Sequence, residues 1–166
     1  SQQVGALAGG TTYYWRVNAK NLSGTSPYSG VSSFTTIVVP PQAPLLGSPS
    51  NGATASSVAT MLGWSAADGA TRYVLQVSLS SDFALLVASD SAVSGTSRGV
   101  GPLAYTTTYY WRVAAVNAGG SSSFAGPWSF KTPVPPPAAP VLSSPSDHSV
   151  NQPAKVTLAW HSAGSG

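Results

Sequence analysis

Residues Gly95-Thr96-Ser97-Arg98-Gly99 spell G-x-S-x-G, the spacing that places a nucleophilic serine on a sharp strand-to-helix turn in serine hydrolases. Such a serine needs a base to take its proton and an acid to orient that base. The histidines are His148 and His161, both far downstream, and no helical pattern follows Ser97. The stretch reads as the start of a strand. Acid–base work on a glycoside needs two opposed carboxylates. The chain holds four, Asp68, Asp82, Asp90 and Asp147, and no glutamate. All four sit among Gly, Ser and Ala, where aspartate bonds its own backbone in turns. Asp82 and Asp90 with backbone carbonyls are the one conceivable calcium set, and they fall short of the 6–8 oxygens such a cage wants. His148 and His161 have no third ligand near them in sequence and read as solvated surface residues. With no cysteine, disulfides, thiolate metal sites and cysteine nucleophiles are excluded. The reading is non-enzymatic, with no catalytic residue, no metal site and no cofactor.

Composition narrows the class further. Charged residues make up 7% of the chain and hydrophobic residues 42%, with five Trp and seven Tyr. That is enough apolar material for a packed core and argues against disorder. Too little charge is present to coat helices with a polar face; strands with Thr, Ser and Ala outside fit better. The net charge of +3 comes from scattered residues that form no basic patch, so nucleic acid is not an expected partner. No apolar run approaches the roughly 20 residues of a membrane helix.

The elements that position these residues come from a repeat. Thr-Thr-Tyr-Tyr-Trp-Arg-Val occurs at 11–17 and again at 107–113, an offset of 96 residues. Asn21 and Asn117, Phe34 and Phe130, Pro44 and Pro140, and Trp64 and Trp160 keep the same offset. Without gaps, residues 1–70 and 97–166 agree at 32 of 70 positions. A period this long is a whole domain and not a small solenoid unit. Within it, Thr60, Leu62 and Trp64 alternate with Met61 and Gly63. Tyr73, Leu75 and Val77 alternate with Arg72, Val74 and Gln76. Tyr109, Trp111, Val113 and Ala115 alternate with Tyr110, Arg112 and Ala114. Gly- and Ser-rich turns separate these stretches, as expected for an all-β sandwich.

Leu103, Thr107, Tyr109, Val113, Ala115 and Asn117 form L-x-x-x-T-x-Y-x-x-x-V-x-A-x-N, and Leu7, Thr11, Tyr13, Val17, Ala19 and Asn21 repeat it. This pattern resembles the E–F corner and F strand of the fibronectin type III family. The resemblance extends to Ala43-Pro44-Leu45-Leu46 and Pro49 as an A strand, Trp64 and Trp160 in B strands, Tyr73–Val77 as strand C, and Trp128–Thr132 as strand G. It implies tandem immunoglobulin-like sandwiches of the bacterial extracellular type. Residues 41–132 form a complete domain. Residues 1–36 form the C-terminal part of another (strands E–G), and 138–166 the N-terminal part of a third (strands A–B). Pro-rich linkers fill 37–40 and 133–137, and proline runs act as semi-rigid spacers.

The resemblance also implies roles. Tyr13 and Tyr109 are tyrosine-corner residues. Tyr13, Trp15, Val17, Trp64, Tyr73, Leu75, Val77, Tyr109, Trp111, Val113 and Phe130 are core positions. The part-domains at either end would leave Trp15 or Trp160 exposed, as expected of a window on a longer array. Tyr14, Tyr110, Tyr105, Phe124 and Tyr28 are candidate interaction residues, although Tyr28 and Phe124 fit better as covers for the sandwich edge. Asn21-Leu22-Ser23 is a glycosylation sequon whose counterpart, Asn117-Ala118-Gly119, is not. The expected function is a structural stalk, spacer or fibre segment of a long extracellular or cell-surface bacterial protein, self-associating through identical chains or neighbouring repeats. The alternatives are an adhesion module for a glycan or protein, and accessory domains of a secreted enzyme.

Overall fold

The computed structural model describes residues 1–162; the last four positions of the 138–166 segment lie outside the described residues. Every element among them is a strand. The first repeat holds β1 (Thr12–Trp15), β2 (Lys20–Asn21), β3 (Gly24–Thr25) and β4 (Ser32–Thr35). Residues 41–132 hold β5 (Leu46–Ser48), β6 (Thr60–Trp64), β7 (Arg72–Ser78), β8 (Leu86–Val93), β9 (Ser97–Val100), β10 (Thr108–Asn117), β11 (Gly120–Ser121) and β12 (Ala125–Lys131). The last repeat holds β13 (Val141–Ser144) and β14 (Ala159–His161).

The middle domain has two antiparallel sheets. One runs β5-β6-β9; the other runs β8-β7-β10, with β12 and then β11 along the far edge of β10. Period-two alternation turns Leu62, Trp64, Tyr73, Leu75, Val77, Tyr109, Trp111, Val113, Ala115 and Phe130 into the space between the sheets, where all are buried. Trp111 meets Trp128 edge-on with ring centres 6.1 Å apart, and Trp64 meets Tyr73 at 5.6 Å. Edge-to-face pairs add about 0.5–1.5 kcal/mol beyond the area they bury. Neither the Trp64 nor the Trp111 indole N–H has an acceptor, so these rings stabilise the domain by packing alone.

The 96-residue offset is preserved in three dimensions. Tyr13 lies opposite Phe34 as Tyr109 lies opposite Phe130, and Leu142 lies opposite Trp160 as Leu46 lies opposite Trp64. Two expectations for the first repeat need correction. Its E strand does not form: residues 1–11 contain no strand. In the middle domain the E-strand equivalent, β9, pairs only with β6, and the described residues give the first repeat no such partner. For the same reason Val17, read as core, is 57% exposed; Trp15, a core position by the motif but expected to be exposed in a part-domain, is 52% exposed, and Tyr13 is half-buried, stacked on Phe34 at 5.8 Å.

Candidate functional site

The outer face of the β8-β7-β10-β12 sheet carries the densest arrangement of polar and aromatic groups. On β10, Trp111 and Val113 point inward, so Arg112 points out. Its guanidinium carbon lies 3.9 Å from the centre of the Phe83 ring and 4.2 Å from that of Phe124, and its Nε donates to Gln76 Oε1 at 2.8 Å. The cation is held between two rings and fixed by the neighbouring strand. A guanidinium in this position gains from the electron-rich faces on both sides.

Local sequence explains how the rings arrive there. Phe83 sits in the β7–β8 connection. Its N–H donates to the Ser80 carbonyl at 3.1 Å, Ala84 N–H donates to Asp82 Oδ1 at 3.0 Å, and Ser78 Oγ donates to the Leu85 carbonyl at 2.8 Å. The Ser80 hydroxyl and the Ala84 amide hold the Asp82 carboxyl below its ordinary pKa. The turn puts Phe83 at φ +62°, a left-handed conformation that costs an aromatic residue roughly 1–2 kcal/mol. Burial of its ring (8% exposed) against Arg112 offsets this. Phe124 follows a serine clasp: Ser122 N–H donates to the Ala115 carbonyl at 2.8 Å, and Ala115 N–H donates to Ser122 Oγ at 3.0 Å. The first repeat builds the same clasp from Ser26 and Ala19, and there Arg16 lies 4.1 Å from the Tyr28 ring centre.

Phe124 and Tyr28 are therefore both engaged by arginines of their own repeats. Tyr110 is half-buried, in register with Ser78 and Ser129. Tyr105 is 44% exposed in the turn before β10, and Tyr14 is 73% exposed on β1. Of the five candidates, Tyr14 and Tyr28 line one surface hollow of the first repeat with Trp15 and Arg16, while Tyr105, Tyr110 and Phe124 belong to the middle domain. Phe83 was missed by sequence reasoning; its signal was a lone aromatic directly after the Ser/Asp-rich stretch Ser78–Asp82.

The residues considered for chemistry are dispersed. Ser97 opens β9 and pairs with Gly63, so it stands in a strand and not on a turn that feeds a helix. Asp90 is bound to Arg98 at 3.1 Å across the seam between the two sheets, while its other oxygen accepts Ala92 N–H. Beside this pair a cleft of about 470 Å³ is floored by Leu75, Val77, Leu103 and Tyr109. Asp82 caps its own turn. His148, fully solvated, pairs with Asp147 at 3.4 Å. Among the described residues, no three His or Asp side chains are grouped to hold a metal ion, and no helix is long and apolar enough to cross a membrane.

The corner between β9 and β10 decides the fold. The Tyr109 hydroxyl accepts Ala104 N–H at 3.0 Å, and Thr132 Oγ1 donates to the Ala104 carbonyl at 2.7 Å while accepting Thr107 N–H at 2.9 Å. Tyr13, Ala8, Thr36 and Thr11 repeat this set. A tyrosine corner joins a three-stranded sheet β5-β6-β9 to a second sheet ordered β8-β7-β10-β12. The fold is a fibronectin type III sandwich. Strands β5, β6 and β9 are A, B and E; β7, β8, β10 and β12 are C, C′, F and G.

No protein-family model and no curated protein matches the chain. Among solved structures it is similar to the FN1–FN3 domains of chicken CNTN1, at 18% identity and TM-score 0.45 over 77% of this chain; it spans 45% of that chain. It is similar to a myokine structure at 21% identity and TM-score 0.43, over 56% of this chain and 98% of that one. An Fn3-like protein from Clostridium thermocellum aligns at 25% identity and TM-score 0.39, over 56% and 91%.

Proposed function

We propose that this chain is a non-catalytic structural segment of a long extracellular bacterial protein, in which repeated fibronectin type III domains serve as a stalk, spacer or fibre. The observation that carries this reading is the linker at 37–40. It joins two repeats built to one 96-residue plan and lies against the domain that follows it, with the Asn117 amide donating to the Val39 carbonyl at 2.9 Å. Domains of one plan joined by proline-bearing connections form an ordered string. The arginine-bound state of Phe124 and Tyr28 supports the same reading, because it occupies the aromatics that an adhesion surface would use.

Small-angle X-ray scattering on the chain tests it. A single globule of this length has a radius of gyration of about 15 Å, and an unfolded chain about 43 Å. The spacer reading expects an intermediate value well above the globular one, with the sheet content intact. A radius near that of one globule would overturn it.

A further inference from the structure

We propose that the β10–β11 hairpin is a receptor for the linker that precedes its domain, and that the residue at position 119 decides whether the joint is locked or free. This deepens the spacer reading and rests on it. Asn117 uses its whole side-chain amide: Oδ1 accepts Gly119 N–H at 2.8 Å inside the hairpin, while Nδ2 donates to the Val39 carbonyl at 2.9 Å and the Gly69 carbonyl at 3.2 Å. One side chain thus ties the linker, the loop between β6 and β7, and the hairpin tip together.

Gly119 makes the close approach possible. A Cβ built there would collide with the Val38 carbonyl oxygen and would stand 2.7 Å from the Val38 carbonyl carbon and 3.0 Å from that of Val39. These are backbone atoms, which cannot swing aside as a side-chain tip can. Gly119 is not among the left-handed glycines of the chain, so its backbone does not demand glycine; the space does. Pro40 continues the seat, with its Cγ 3.4 Å from where a Gly120 Cβ would lie. On the other side, a Cβ on Gly10 would stand 2.8 Å from Val38 Cγ2. Val38 therefore touches the corner of one repeat with its side chain and the hairpin of the next with its carbonyl.

Internal comparison separates lock from scaffold. The first repeat forms the same hairpin, with Lys20 opposite Thr25 and Asn21 opposite Gly24, and Ser23 N–H donates to Asn21 Oδ1 at 2.9 Å. Its residue equivalent to Gly119 is Ser23. The hairpin therefore tolerates a side chain there, but a linker could not come as near. Within the linker itself, Val38 is 39% exposed while its neighbours Ile37 and Val39 are 80% and 66% exposed.

The test is backbone ¹⁵N relaxation on the full chain, comparing Gly119→Ser and Asn117→Ala with Ala118→Ser, an exposed hairpin position that leaves the seat open. In the parent chain and in Ala118→Ser, the amides of Val38 and Val39 should have order parameters near the ~0.85 of rigid backbone; in the other two variants they should fall below about 0.6. Unchanged core resonances of Trp111 and Val113 show that each variant is folded, and Ser23 in the equivalent hairpin makes Gly119→Ser a substitution this hairpin can hold. Linker amides already mobile in the parent chain, or equally rigid in Gly119→Ser, overturn the proposal. The radius of gyration separates the two ideas: a compact chain with an ordered linker sinks the spacer reading alone, and an extended chain with a mobile linker sinks the lock alone.

Discussion

The seven residues at 11–17 and the seven at 107–113 are the same letters in two different surroundings. Both copies make an F strand, both place a tyrosine hydroxyl on a backbone N–H five residues upstream, and both stack that tyrosine on a phenylalanine of the partner strand. Yet Trp111 is fully buried and Trp15 is half exposed. Strand, corner and pairing are local properties of the word. Burial is supplied by the opposite sheet, β5-β6-β9, and by β7, which among the described residues cover the second copy and not the first. The hydrophobic contribution of a side chain scales with the apolar area removed from water, so identical residues contribute unequally.

The largest expected effect follows from that inequality. Trp111→Ala should destabilise the middle domain by about 3–5 kcal/mol, close to the whole stability of a domain at the lower end of ~5–15 kcal/mol. Trp15→Ala should leave the urea midpoint of that domain unchanged. Equal shifts for the two variants would break the comparison.

A smaller contrast concerns the arginines. Arg112 lies between two rings and Arg16 beside one. Arg112→Ala should lower the middle domain's stability by about 1–2 kcal/mol through loss of both cation–π contacts, measured by the same denaturation, and Arg16→Ala should not move it. Phe83 sharpens the point. Because its backbone is left-handed, Phe83→Gly should be at least as stable as Phe83→Ala, the reverse of the usual order. A glycine variant clearly weaker than the alanine one would show that the backbone there is not strained.

The smallest effect is electrostatic. The Asp82 carboxyl has a lowered pKa from the Ser80 hydroxyl and the Ala84 amide. A depressed folded-state value means that its contribution is present above the ordinary aspartate pKa of about 3.9 and fades as pH falls through the lower folded value. Asp82 is fully solvated, so the readout is its own carboxyl ¹³C titration. The midpoint should lie below about 3.9, and a midpoint at or above that value would remove the cap from the account of the Phe83 turn.

Much of the fold was legible because its determinants are periodic. Leu62, Trp64, Tyr73, Leu75, Val77, Tyr109, Trp111 and Val113 announce their inward face by alternation, and the repeat announces itself by identity at a fixed offset. The Phe83–Arg112–Phe124 stack was not legible. Phe83 belongs to a turn, where no periodicity marks which way a side chain points, and its partner lies on a strand distant in sequence. The seat of the linker on Gly119 was hidden for a similar reason. A glycine in a Gly-Gly-Ser run reads as a flexible turn, and only its three-dimensional neighbours show that it is required for space. The missing first E strand follows from pairing across sheets, which a motif match within one stretch does not contain, whereas the exposure of Trp15 was legible from its place in a part-domain.

The ion pair between Asp90 and Arg98 bears on how the two sheets are held together. Among the described residues the other such contact, Asp147 with His148, joins neighbouring solvated side chains and is an ion pair only when the imidazole carries a proton. The sheets are otherwise joined by apolar packing and by hydrogen bonds between neutral groups. Dissolved salt screens charges over a distance of about 10 Å at 0.1 M and about 3 Å at 1 M, and here it finds almost nothing to screen. Charge screening therefore has a single contact between the two sheets to act on, and the join between them rests on apolar packing, which screening does not reach.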